Sequence, residues 1–351
     1  KKKAKIMIKA GVLGATGYAG IETVRILSNH PMVKITYAAS KTYAGKKISD
    51  VYPNLKNVCD ILLEEVDTAK IKEKCDVVFT ALPHGASKEV IPSLYEAGLK
   101  IIDLSGDFRY NDEKVYEKWY GTPHDCPSLL KKSVYGLCEL HRNEIKNAQI
   151  IGNPGCYTTC SIMALAPLLT KGAIDTKNII IDAKSGVTGA GRTTNLDYSF
   201  CECTENMRAY KIATHRHTSE IEQELSLIAN EEILVSFTPH LVPLKRGILA
   251  TCYANLKTDC TDDDIYNIFA DFYKDEYFVR ILKDALPETN HVAGSNFIDI
   301  GFKVDKRLKR VVVSSAIDNL FKGAAGQAVQ NMNIMFGIDE KCGIANGGFY
   351  L

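Results

Sequence analysis

Ile8-Lys-Ala-Gly11-Val-Leu-Gly14-Ala-Thr-Gly17-Tyr-Ala-Gly20 is the stretch that decides the fold. Residues 8–13 read as a short strand, the glycines as a turn, and Ile21, Val24 and Leu27 as one face of the following helix. Gly11-x-x-Gly14-x-x-Gly17 after a strand and before a helix suits a phosphate-binding turn, although its spacing differs from the common G-x-G-x-x-G. Glycine lets the backbone approach a pyrophosphate, and the helix N-terminus stabilises the negative charge. Asn29-His30-Pro31 stops the helix, and 33–39 is a β-rich run. Residues 76–81 predict another buried strand, 86–97 a helix ending at Gly98, and 100–104 a strand again. Repeated strand–helix–strand units predict an α/β, Rossmann-type, doubly wound parallel sheet.

The second strand indicates which dinucleotide. An NAD site usually places Asp or Glu there for the ribose 2′-hydroxyl. Here the strand ends in Ala38-Ala39-Ser40-Lys41, with Lys46 and Lys47 nearby and no acid before Asp50. Hydroxyl and ammonium groups suit a 2′-phosphate, so NADP(H) is the expected cofactor.

Beyond about residue 156 the pattern changes. β-rich segments at 178–184, 233–238, 247–256, 296–304 and 310–317 have fewer helices between them. Ile298–Val304 and Arg310–Ser315 flank Asp305-Lys-Arg-Leu-Lys309 as a hairpin. This half predicts an α+β catalytic and dimerisation domain with a mixed sheet. A last helix over 323–336, small-residued at its start, is expected to return to the first domain. The expected division is 1–155 plus 319–351 for the dinucleotide domain and 156–318 for the catalytic and oligomerisation domain.

Gly152-Asn-Pro-Gly-Cys156-Tyr-Thr-Thr joins a short strand end at 149–151 to a helix carrying Ile162, Leu165, Leu168 and Leu169. A cysteine at a helix N-terminus meets the positive end of the peptide dipoles, which favours the nucleophilic thiolate. The same N–H groups suit an oxyanion on the carbonyl under attack. The second constellation is His215-Arg-His217-Thr-Ser-Glu220-Ile-Glu222. Thr218 or Ser219 with Glu222 reads as a capping box, which places both histidines just before a helix. Either histidine can exchange the proton a thiol nucleophile needs, with His217 the preferred one. Glu220 is suited to orienting the imidazole. Ser185-Gly-Val-Thr-Gly-Ala-Gly-Arg192 is a glycine-rich loop after a strand, and Pro83-His84-Gly85 follows another strand. Arg109, after Ser105-Gly-Asp-Phe, suits a carboxylate or phosphate, or an ion pair with Asp107 or Asp112.

Composition removes other classes. With 351 residues, 46% hydrophobic and 24% charged, the chain has the make-up of a soluble globular protein of two domains. A net charge of +1 gives no attraction to nucleic acid or an anionic membrane. No apolar run nears the ~20 residues of a membrane span, and the start lacks the pattern of a secretory peptide. Lys1-Lys2-Lys3 with Lys5 reads as a frayed terminus rather than a signal. Eleven cysteines, with Cys156/Cys160 and Cys201/Cys203 lacking C-x2-C spacing, point to free thiols in a reducing cytoplasm and to no metal.

Together the motifs resemble the N-acetyl-gamma-glutamyl-phosphate reductase (type 1) family, within the wider group of aspartate-semialdehyde and glyceraldehyde-3-phosphate dehydrogenases. The resemblance is carried in order by Gly14–Gly20, Ala81-Leu-Pro-His-Gly85, Asp103-Leu-Ser-Gly-Asp-Phe-Arg109, Gly152–Tyr157, Ser185–Arg192, His215–Ile221 and Asn319-Leu-Phe-Lys-Gly-Ala-Ala-Gly-Gln327. Ser219 replaces the family's usual proline. The resemblance implies Cys156 as nucleophile, His217 or His215 as acid/base, and NADPH bound at 14–20. Its expected cofactor contacts are Gly14, Thr16, Gly17, Tyr18, Ala19, Ser40, Lys41, Pro83, Ser185, Gly186 and Asn319. Its expected substrate contacts are Arg109, Asn153, Arg192 and Glu220. It implies reduction of an acyl phosphate through a cysteine thioester, in arginine biosynthesis, by a homodimer or homotetramer. Reduction of an aspartyl or aminoadipyl phosphate shares the same chemistry, and a non-catalytic NADP-binding sensor is the alternative of another class.

Overall fold

The computed structural model describes residues 7–350, so the Lys1–Lys5 cluster lies outside the described residues. The chain divides into two compact units: the part up to Pro154 with Ala324–Ala345, and Gly155–Gly323 with the segment from Asn346. The expected second boundary at 319 therefore lies at 324, and the segment from Asn346 counts with the second unit rather than the first.

The first unit is built on six parallel strands: β1 Ile8–Leu13, β2 Val33–Ala39, β3 Val77–Thr80, β4 Lys100–Asp103, β5 Ser133–Tyr135 and β6 Ile150–Gly152. Their order is β2-β1-β3-β4-β6-β5, and every pair is parallel. Parallel strands are covered on both faces and so read as unbroken apolar runs. Val77-Val-Phe-Thr80 is buried throughout. The chain reverses direction across the sheet between β1 and β3, the position where open α/β sheets bind ligands. Gly11 lies inside β1, beside a register shift at Ala10/Gly11, rather than in the turn. The close approaches belong to Gly14 and Gly20. Gly14 has φ +78°, and a Cβ there would stand 2.2 Å from the Ala81 carbonyl oxygen. A Cβ on Gly20 would stand 2.1 Å from the Gly14 oxygen.

The last helix, Gly326–Met335, belongs to this unit and is buried along its whole length. It starts after a π-turn over Phe321–Ala325, later than the 323 expected from the small-residue run. Two of its buried amides donate to one backbone oxygen. Gln327 Nε2 and Asn331 Nδ2 both donate to the Gly136 oxygen at 2.8 Å. Asn331 also donates to Asn153 Oδ1 at 3.1 Å, which ties this helix to the turn following β6.

The second unit holds β7 Ile179–Gly186, β8 Arg208–Ala209, β9 Val235–Val242, β10 Ile248–Asn255, β11 Val279–Leu282, β12 Ile298–Asp305 and β13 Arg310–Ile317. They form one mixed sheet ordered β11-β12-β13-β10-β7-β9-β8. The β12/β13 hairpin is antiparallel across the predicted 305–309 turn. β10 alternates buried and half-buried residues along its length, so one face is covered and the other is open. The Cys156–Thr170 helix covers the buried face over β10 and β13. Residues 157–169 of that helix are all buried. It is therefore buried all round, its polar residues Thr158, Thr159 and Ser161 included, rather than amphipathic. The open face carries Ile180, Tyr253 and Val312 in one row, since Tyr253 pairs with Ile180 on one side and with Val312 on the other.

Candidate active site

Cys156 is the first residue of its helix. Gly155 precedes it as N-cap in an extended conformation (φ −69°, ψ 153°) with no capping side chain. Among its neighbours Cys160 and Cys252 are buried, and burial pushes the Cys160 thiol up to about 12 and Cys252 higher still. Those two thiols stay protonated at neutral pH and serve as small apolar residues. Cys156, by contrast, is part-exposed at the positive end of fifteen residues of helix.

His217 stands against the residue just before this thiol. A Cβ on Gly155 would lie 2.3 Å from His217 Nε2 and 2.7 Å from both flanking ring carbons, so the imidazole occupies the space that glycine leaves. The carboxylate of Glu220, fully buried, lies one turn further on. It accepts from the Gly155 N–H at 3.2 Å, and its other oxygen is 4.0 Å from His217 Nε2. The His217–Ala229 helix starts at His217 itself with Arg216 as N-cap, so the capping box expected at Thr218 or Ser219 is absent. The Ser219 hydroxyl instead donates to the Arg216 oxygen at 2.9 Å. His217 thus sits in the first helical turn, with the Glu220 side chain on the same face.

His215 does different work. Its Nδ1 accepts the His217 backbone N–H at 3.1 Å, which leaves Nε2 as the protonated nitrogen facing Tyr210 Oη at 3.4 Å. Its ring stands edge-on to Tyr157, Tyr210 and Phe237 at 5.5–5.6 Å between centroids. Burial, helped by the neighbouring His217, pushes His215 down to about 2, so it is neutral at any working pH. Of the two histidines, His217 is the one that stands against the residue preceding the thiol.

Asn153 and Glu220, both read as substrate contacts, are buried and hydrogen-bonded within the protein. Asn153 is fully buried, donates to the Ala324 oxygen at 3.1 Å and accepts from Asn331. Glu220 is equally buried and committed to Gly155. Sequence reveals the polar identity of such residues but not what they face. Arg109, in the first unit, is buried and its Nη2 donates to the Leu104 oxygen at 3.1 Å. Asp107 receives the Gly85 N–H at 2.9–3.0 Å and the Tyr116 hydroxyl at 3.0 Å. Arg192 lies exposed beyond the 3-10 turn Val187–Ala190 that ends the glycine-rich loop. Ser185 and Gly186 complete β7, and a Cβ on Gly186 would meet the Lys245 backbone at 2.8 Å. Asn319 braces this loop, accepting from the Gly247 N–H at 2.8 Å and donating to Thr188 Oγ1 at 3.0 Å. Sequence reasoning missed Gly323. A Cβ there would lie 2.7 Å from Cys156 Cβ, so backbone forms the wall beside the thiol. Its one signal was the small-residue run Gly323-Ala-Ala-Gly326.

The first unit's turn fits a dinucleotide phosphate. The Tyr18–Ser28 helix opens at Gly17 with no capping side-chain hydrogen bond, which suits an anion at its N-terminus. Thr16 Oγ1 and Ser40 Oγ are 2.8 Å apart, while Tyr18 and Ala19 begin the helix and Lys41 is exposed just past β2. Glu64 bridges to Ala39 at the end of β2, but its carboxylate is held by Lys70 at 3.0 Å and Lys74 at 3.1 Å. No carboxylate is thereby offered to a ribose 2′-hydroxyl from that bridge, and the neighbouring lysines suit a 2′-phosphate. Pro83 is exposed after β3, where its carbonyl accepts the Ala86 N–H. Among the described residues no helix is long and apolar enough to cross a membrane, and no group of three or more His, Cys, Asp or Glu is placed to hold a metal.

Comparison with known proteins places these features in company. Residues 9–148 match the family model for the semialdehyde dehydrogenase NAD binding domain, and residues 156–319 the one for the semialdehyde dehydrogenase dimerisation domain. The N-acetyl-gamma-glutamyl-phosphate reductase of Acetivibrio thermocellus is 64% identical over 98% of this chain and 100% of its own. That of Caldicellulosiruptor bescii is 53% identical over 98% and 100%. Among solved structures, aspartate semialdehyde dehydrogenase II from Vibrio cholerae aligns with a TM-score of 0.73 at 18% identity, covering 94% of this chain and 99% of that one. The Candida albicans enzyme solved with NADP aligns at 0.69 and 20% identity, over 94% and 98%. At such identities the likeness is one of fold.

Proposed function

We propose, from the premise that this chain belongs to the semialdehyde dehydrogenase family, that it reduces N-acetyl-gamma-glutamyl phosphate to N-acetylglutamate 5-semialdehyde with NADPH, releasing phosphate. This is an oxidoreductase step of arginine biosynthesis. The observation that carries the mechanism is the His217 imidazole seated on Gly155, immediately before a cysteine at a helix N-terminus.

His217 takes the Cys156 proton, and Glu220 balances the imidazolium charge from one turn away. The thiolate attacks the acyl carbon; the new C–S bond replaces the C–O bond to phosphate, which leaves as the anion. Splitting the reaction through a thioester turns one hard displacement into two easier steps. The first N–H groups of the Cys156–Thr170 helix stabilise the carbonyl oxygen as it gains charge. NADP(H), held by the Gly14–Gly17 turn with Thr16, Ser40 and Lys41, supplies hydride chemistry when bound. Collapse of the tetrahedral adduct on Cys156 breaks the C–S bond and frees the aldehyde, and the thiolate recovers its proton from His217. Asn319 with the Ser185–Gly186 corner, and Pro83 in the first unit, are further candidates for the cofactor. Arg192 and Arg109 remain candidates for the substrate's carboxylate or phosphate.

The open face of the second sheet, with Ile180, Tyr253 and Val312 in register, favours a homo-oligomer, a dimer or a pair of dimers. Eleven unbridged cysteines favour a reducing cytoplasm. The test of substrate is the reverse reaction: phosphate-dependent NADP+ reduction with each candidate aldehyde. Turnover is expected with N-acetylglutamate 5-semialdehyde; turnover with aspartate semialdehyde alone would overturn the assignment.

A further inference from the structure

The wall beside Cys156 is made by the backbone of Gly323, and one buried carboxylate holds that backbone. Asp318 follows β13 and is fully buried. Its Oδ1 accepts the Leu320 and Phe321 N–H groups at 2.8 and 2.9 Å, closing the chain into the π-turn Phe321–Ala325. Its Oδ2 accepts the Gly294 N–H at 2.7 Å, and Arg246 Nη1 lies 3.1 Å away. The Asp318 carbonyl then accepts the Gly323 N–H at 2.9 Å. Gly323 arrives so close to Cys156 that a Cβ would stand 2.7 Å from Cys156 Cβ and 3.3 Å from its Cα. Nothing in the proposed chemistry uses Asp318, yet three backbone donors and a guanidinium converge on it.

We propose that Asp318 is a positioning residue for the nucleophile: by fixing the 318–323 turn it sets the backbone wall against Cys156, and with it the direction in which the thiol points. This rests on the reading of Cys156 as nucleophile. The arrangement is specific to a carboxylate. Asparagine at 318 keeps one oxygen, enough for either the Leu320/Phe321 pair or Gly294, and turns an N–H2 group towards donors at the other. The turn then loses one of its anchors, and Gly323 is free to shift. Geometry of this kind governs rate steeply, since a misplacement of about 1 Å costs about a hundredfold in turnover.

Two variants of the full chain test this, each assayed per folded molecule: Asp318→Asn, which loosens the turn, and Gly323→Ala, which crowds Cys156 directly and leaves the Asp318 carboxylate alone. Gly323 is not among the positive-φ glycines, so alanine meets no backbone objection there. The readouts are kcat of the reverse reaction and the rate of Cys156 alkylation by iodoacetamide, followed on its own peptide by mass spectrometry. Both variants are expected to lose about tenfold or more in kcat, with a changed Cys156 alkylation rate. A merely structural Asp318 would lower the melting temperature and leave both rates per folded molecule at the parent value; that result in Asp318→Asn overturns the proposal. Cys156→Ser, run alongside, separates the two readings. If it is inactive while both other variants keep the parent kcat, the positioning role alone fails; if it still turns over, the nucleophile assignment fails first.

Discussion

Replacing Gly155 by alanine asks whether the imidazole on Gly155 is the one that works. The backbone has no objection, because φ −69° and ψ 153° is an extended conformation open to any residue. At such positions Gly→Ala ordinarily stabilises by about 0.4–1 kcal/mol through the unfolded chain. The new methyl would stand 2.3 Å from His217 Nε2, against the ~3.5 Å of an ordinary contact. The ring must therefore retreat by about 1 Å, a displacement worth about a hundredfold in rate, or ~2.7 kcal/mol of transition-state stabilisation. Phosphate-dependent NADP+ reduction with N-acetylglutamate 5-semialdehyde measures kcat, and circular dichroism measures the melting temperature. The expected result is a loss of about two decades in kcat with folding intact. A kcat within about threefold of the parent, a difference of under ~0.7 kcal/mol, would show that the His217 seen against Gly155 takes no part in the chemistry.

Gly20→Ala places a Cβ 2.1 Å from the Gly14 carbonyl oxygen, backbone against backbone, so the phosphate turn must open. NADPH affinity measured by fluorescence is expected to fall by about tenfold or more, and a parental affinity would remove the turn from the cofactor site. A third prediction concerns acid. His215 in the unfolded chain takes a proton near pH ~6.5, whereas in the fold it is pushed down to about 2. Between those values the unfolded state binds more protons, so stability rises with pH and is lost as pH falls, by about 1.4 kcal/mol per unit. His215→Asn, which keeps an acceptor for the His217 N–H, is expected to flatten the fall in urea midpoint between pH ~6 and ~4. An unchanged slope would contradict a neutral, buried His215.

Much of the first unit was readable because buried parallel strands advertise themselves as short, β-rich apolar runs, as in Val77-Val-Phe-Thr80. β5 was not, since Ser133-Val-Tyr135 is too short to show a period. The order of the second sheet was hidden for another reason: β10 lies between β13 and β7, partners that only the folded chain brings together. At the candidate site, Cys156 and His217 stood out because turn chemistry and a histidine pair leave local marks. The contacts of Asn153 on Ala324 and of Asp318 on Gly294 join groups distant in sequence. Such contacts leave no spacing to read. The capping box expected at Thr218 or Ser219 failed because the helix began earlier, at His217.

The whole account depends on an acyl group residing on one sulfur. Protein incubated with N-acetyl-gamma-glutamyl phosphate and no NADPH, quenched in acid and examined by intact-mass and peptide mass spectrometry, reports this directly. The account predicts a single N-acetylglutamyl adduct on the Cys156 peptide, phosphate released in equal amount, and neither in Cys156→Ser. An adduct on another residue, or phosphate release undiminished in Cys156→Ser, would contradict it.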